Sequence, residues 1–109
     1  MRILEENDIE ALQLDELART LRMLSNADRL SMLWILETGE QDVSSLAQRS
    51  KLSSSRVSQH LALLRAHDVV RDRREGRRVF YRLIRPALVQ WLRGSMEQGV
   101  LEPATGVRL

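Results

Sequence analysis

At 109 residues the chain holds one domain, on the rule of about 150 residues each, and a second globular unit is excluded. Its 43% hydrophobic and 29% charged residues are those of a soluble globular protein, which excludes the disordered and fibrous classes. The absence of cysteine excludes disulfides, thiol catalysis, thiolate metal sites and thiol redox sensing together. The net charge of +2 conceals a separation: residues 1–16 hold six acids against Arg2, and residues 71–85 hold seven arginines against Asp72 and Glu75. Of the 17 basic residues 16 are Arg and only Lys51 is Lys. That bias suits two-pronged phosphate contact, and a GC-rich genome produces it as well. No apolar run approaches the roughly 18 residues of a membrane span. Glu5, Glu6, Asp8 and Glu10 stand where a secretory signal would be basic, so a cytoplasmic protein with no membrane partner is expected.

In chain order, residues 1–12 read as an acidic arm, residues 13–101 as the folded domain and residues 102–109 as a disordered tail. Leu14, Leu17, Leu21 and Leu24 recur at helical spacing and predict a first helix. Ser25 or Asn26 caps a second helix running to about Glu37, with Leu30, Leu33, Trp34 and Leu36 as apolar surface, and Gly39 ends it. Asp42 caps a short third helix carrying Val43, Leu46 and Ala47. The run Lys51-Leu52-Ser53 turns tightly into a fourth helix from about Ser54 to His67. From Val69 to Leu83 the period changes to two, with Val79, Tyr81 and Leu83 alternating against Arg78, Phe80 and Arg82, which predicts a hairpin about Glu75-Gly76-Arg77. Pro86 opens a last helix with Leu88, Trp91, Leu92 and Met96 on one side.

The expected fold is therefore mainly α with a small β-hairpin (α+β), in the order α-α-α-α-β-β-α. A short helix, tight turn and second helix followed by a basic hairpin make a winged helix-turn-helix, whose second helix can enter the DNA major groove. On the fourth helix Val57, Leu61 and Leu64 cluster toward the core. Ser55, Gln59, Ala62 and Ala66 lie opposite, with Ser58 and Arg65 on a flank. Small and amide side chains there allow close approach to base edges and hydrogen bonding to them, whereas a merely solvated face would carry more Glu and Lys.

Arg29-Leu30, the run Val57-Ser58-Gln59-His60-Leu61 followed by Leu64-Arg65, and the hairpin Arg73-Arg74-Glu75-Gly76-Arg77-Arg78-Val79-Phe80-Tyr81 together resemble the ArsR/SmtB family of bacterial winged-helix repressors over about residues 14–98. The resemblance implies a homodimer built on the first and last helices that binds a partly palindromic operator in double-stranded DNA and represses until a signal releases it. The candidate DNA-contacting residues are Ser54, Ser55, Arg56, Ser58, Gln59, His60 and Arg65 on the fourth helix and Arg73, Arg74, Arg77 and Arg78 on the wing. The candidate dimerisation residues are Leu14, Leu17, Leu21, Leu88, Trp91, Leu92 and Met96. Ser54 departs from the Gln of many relatives. The segment matching the family's thiolate sensor reads Asp42-Val43-Ser44-Ser45, and residues 85–100, matching its other metal site, hold no His and only Glu97 as an acid. Relatives that sense persulfides need a cysteine pair, which is missing. No metal and no cofactor is expected, and the effector is unassigned.

His60 and His67 are seven residues apart on one helix, about 10 Å along the axis, too far to share an ion bonded at about 2 Å. His60 reads as a core-flanking or phosphate-contacting residue, and Trp34 and Trp91 as packing residues. No nucleophile-base pair, phosphate loop or paired carboxylates suggests an enzyme. The alternative is a winged-helix module for protein or RNA binding. RNA would need exposed aromatics, for which only Phe80 and Tyr81 are candidates.

Overall fold

Helices begin in this chain where a side chain can take up a free backbone N–H. In the computed structural model, which describes residues 5–99, Asn26 Oδ1 accepts from the N–H of Arg29 at 3.0 Å, Asp42 Oδ1 from Ser45 at 2.8 Å and Ser53 Oγ from Arg56 at 3.1 Å. These caps start α2 (Ala27–Glu37), α3 (Val43–Ser50) and α4 (Ser54–Ala66). Glu5 and Asp8 form a reciprocal capping box at the start of α1 (Glu6–Leu24), and Pro86 opens α5 (Pro86–Glu97). Lys51, at φ 60°, closes α3 in the left-handed region and makes the tight turn before α4. Gly76, at φ +62°, takes the first position of the two-residue loop between β2 (Val70–Glu75) and β3 (Arg78–Leu83), where primed hairpin turns require a positive φ.

The architecture is the expected one, helical with a small antiparallel sheet, but with a strand the sequence did not reveal. Gln41 and Asp42 form β1, pairing antiparallel with Tyr81 and Phe80, so the sheet order is β1-β3-β2. Two residues are too few to show alternation, and Asp42 is already legible as a helix cap. The pairing roots the wing in the segment that leads into α3.

The core joins Met32, Leu33 and Leu36 of α2 to Leu46 of α3, to Val57, Leu61 and Leu64 of α4, to Val69 and Val70, and to Val89 and Leu92 of α5. Arg93 of α5 pairs with Glu37 and lies 4.7 Å from the Trp34 ring centroid, fastening α5 to α2. α1 begins at Glu6, so residues 6–12 of the expected acidic arm are helical and continue into the leucine stripe. Of α1 only Met23 and Leu24 are buried. Ile9, Leu12, Leu14, Leu17 and Leu21 stay exposed. The last helix corrects one expectation: Leu92, read as a dimerisation residue, is buried in the protomer's own core beside Val89, because its side of α5 faces the body. Trp91 and Met96 face outward, 59% and 58% exposed, and Leu88 is half-buried. The tail 102–109 lies outside the described residues.

Candidate nucleic-acid interface

α3 and α4 meet through the Lys51 turn, and burial of Val57, Leu61 and Leu64 turns the opposite face of α4 outward. Ser54, Ser55, Arg56, Ser58, Gln59, Ala62, Arg65 and Ala66 are exposed there. The face carries hydroxyl, amide and methyl groups rather than carboxylates, the set that reads base edges.

His60 does not join that face. Its side chain is 14% exposed and turned toward α2, with Nδ1 3.3 Å from Nη1 of Arg29 and Nε2 3.8 Å from Asp28. Burial and the Arg29 charge lower its pKa below 6.5, against an opposing pull from Asp28. His60 is thus a contact between helices and leaves the candidate DNA-contacting set, because its angle on α4 lies between the buried and outward faces. Arg56 stays outward, with a guanidinium nitrogen 3.9 Å from Asp28.

The wing arginines divide by the parity of their strands. Arg73 lies opposite Phe80 and Glu75 opposite Arg78, so these four share one face of the hairpin. On that face Arg73 Nε donates to both oxygens of Glu40, at 2.9 and 3.0 Å, and Nη1 donates to Glu75 at 2.6 Å. Arg78 Nε donates to Asp42 at 3.0 Å, and both guanidiniums lie against Phe80, 4.6 and 4.8 Å from the ring centroid. On the other face Asp72 pairs with Arg65 of α4 at 3.2 Å. Acids of β1 and its approach therefore hold one side of the wing and the recognition helix holds the other. Among the described residues neither Arg74 nor Arg77 has an acidic partner, and both are exposed, Arg77 in the loop and Arg74 on β2 opposite Val79.

Asp42 caps α3 through the Ser45 N–H and receives Arg78, and these bonds lower its pKa to about 2. Hydrogen bonding from Arg73 likewise lowers the pKa of Glu40. Glu40 and Asp42 as wing anchors escaped sequence reasoning, since partners more than thirty residues apart leave no spacing signal, and Asp72 escaped it because its partner Arg65 lies in another element. The parity of Asp72 against its arginine neighbours is the one trace of it. Among the described residues no group of three or more His, Cys, Asp and Glu converges as a metal site, and no helix is long and apolar enough to cross a membrane.

The same arrangement of helices and wing recurs in known proteins. Residues 26–72 match the model for bacterial regulatory proteins of the arsR family. The homodimeric winged helix-turn-helix DNA-binding domain of Mb0332 from Mycobacterium bovis, described as a possible ArsR-family transcriptional regulator, superposes with a TM-score of 0.74 at 30% identity, covering 94% of each chain. The chain belongs to the ArsR family. The HTH-type transcriptional regulator KmtR of Mycobacterium tuberculosis is 47% identical over 62 residues, 57% of this chain and 48% of KmtR. The transcriptional activator HlyU of Vibrio cholerae is 39% identical over 80 residues, 73% of this chain and 68% of HlyU. The chain thus spans about half the length of KmtR and two thirds of HlyU.

Proposed function

We propose that this ArsR-family chain is a sequence-specific DNA-binding transcriptional regulator, a homodimeric repressor that sets one α4 into the major groove of each half of a partly palindromic operator. The observation that carries this is the outward face of α4, with Ser55, Ser58 and Gln59 exposed on a helix that holds no Asp or Glu, and a wing braced to the same helix through Arg65 and Asp72. A fixed angle between helix and wing lets groove contacts and phosphate contacts form together. Dimerisation is supported by the exposed leucines of α1 and by Trp91 and Met96 of α5, large apolar side chains that a two-fold partner would take out of water.

Repression follows because a dimer seated on promoter DNA excludes polymerase with no further surface. The name of HlyU makes activation the competing outcome. A reading as an RNA-binding module loses support from Phe80, whose ring is covered by two guanidiniums, and from the half-buried Tyr81, since neither offers a free face for a base. The chemistry proposed is binding, without catalysis, in the cytoplasm. Selection from a random duplex pool with the purified protein should recover a partly palindromic site. A reporter placed behind that site should fall on expression of the protein; a rise would mean activation, and no recovered site would end the DNA reading.

A further inference from the structure

We infer that Arg77 and Arg74, and not Arg73, carry the wing's phosphate contacts, because Glu40 ties the Arg73 guanidinium to the protein's own sheet. The inference rests on the proposed DNA binding. Arg73 has already directed Nε at both Glu40 oxygens and Nη1 at Glu75, and its flat side is against Phe80. Glu40 is 27% exposed and Arg73 47%, so the tie is held by its geometry, with Nε and Nη2 of Arg73 both donating to Glu40, rather than by exclusion of water. For Arg73 to grip a phosphate, this fork would have to open and leave the Glu40 carboxylate facing a polyanion.

Arg78 is intermediate: Asp42 takes its Nε and Nη2, while the side chain remains 64% exposed. Arg77 and Arg74 have no such tie among the described residues and are exposed, one in the loop and one on β2. The wing thus commits part of its positive charge to its own shape. Charge withheld from the backbone is charge withheld from all duplexes equally, because phosphate contacts carry no sequence information. Releasing it would raise affinity for operator and random DNA alike and leave the preference read by α4 unchanged.

The test is the slope of log affinity against log salt for the recovered operator and for a scrambled duplex of equal length. Arg77→Ala removes one cation per protomer and should reduce the slope by about two units on both duplexes. Arg73→Ala should change it by less than about half a unit. Glu40→Gln should steepen the slope by up to about two units on both duplexes and raise affinity for both alike. Equal slope reduction for Arg73→Ala and Arg77→Ala, with unchanged circular dichroism, overturns the inference, as does an unchanged slope for Glu40→Gln. If Arg73→Ala unfolds the wing, Glu40→Gln decides alone, since it leaves every wing residue in place and removes only the carboxylate that ties Arg73 down. Wild-type protein that binds no duplex overturns the DNA reading itself, whereas wild-type binding with the wrong partition overturns only this inference.

Discussion

Nη1 of Arg29 lies 3.3 Å from Nδ1 of His60, and because a guanidinium only donates, the imidazole accepts there and carries its proton on Nε2. The same Arg29 donates through Nε to the carbonyl of Met23, so one side chain links the end of α1, the start of α2 and the recognition helix. Protonating His60 removes the acceptor and sets two cations side by side. The folded pKa is below the ordinary 6.5, so the neutral ring's contribution to stability is present above about pH 6.5 and is lost as pH falls through the folded value. Urea unfolding at pH 7.5 and 5.5 should show wild type losing stability over that interval and His60→Gln, which keeps a neutral acceptor, losing less. Equal losses would mean that His60 titrates normally.

Asp42 predicts a second, lower window. With its pKa lowered from 3.8 to about 2, its contribution is complete above pH 3.8 and is lost as pH falls toward 2. Carboxyl NMR titration should find the Asp42 midpoint near 2. Asp42→Asn should flatten the acid limb of the stability curve and loosen both the start of α3 and the root of the wing.

Two leucines of the apolar helices should fail differently. Leu17 is 53% exposed on α1, so Leu17→Glu should keep a helical circular dichroism spectrum while sedimentation shows a monomer with weakened operator binding. Leu92 is 8% exposed in the core, so Leu92→Ala should cost about 2–5 kcal/mol of folding stability whatever the assembly state. A dimeric Leu17→Glu protein would remove α1 from the interface.

On the recognition helix, Gln59→Ala or Ser58→Ala deletes an uncharged group. Operator preference should fall by about 1–3 kcal/mol for each well-formed hydrogen bond to a base that the substitution removes, with the salt slope unchanged. Equal weakening on operator and random duplex for Gln59→Ala would show that α4 is not the reading helix.

Equimolar zinc, nickel or arsenite should leave the operator complex intact, since the chain has no cysteine and its two histidines lie seven positions apart. Titration calorimetry that found a submicromolar transition-metal site would point to ligands converging across the dimer.

Local chemistry made most of the fold legible in advance. Asn26 and Asp42 cap their helices because a short polar side chain beside an apolar period is a local solution to free N–H groups, needing no distant partner. The alternation from Val79 to Leu83 about Gly76 is equally local, and so is the outward face of α4, which follows once Val57, Leu61 and Leu64 turn inward. Spacing along the chain could not say which arginine meets which acid. Arg73 with Glu40 and Arg78 with Asp42 join residues more than thirty apart, and their pairing depends on β1 adding to the hairpin. Nor could it say on which side of the body a helix packs: Leu92 and Trp91 are adjacent in one apolar stripe, yet one is buried and the other faces solvent. Sequence periodicity fixes relative angles around a helix, while its absolute rotation is set by the partner it packs against, and only the tertiary structure supplies that partner.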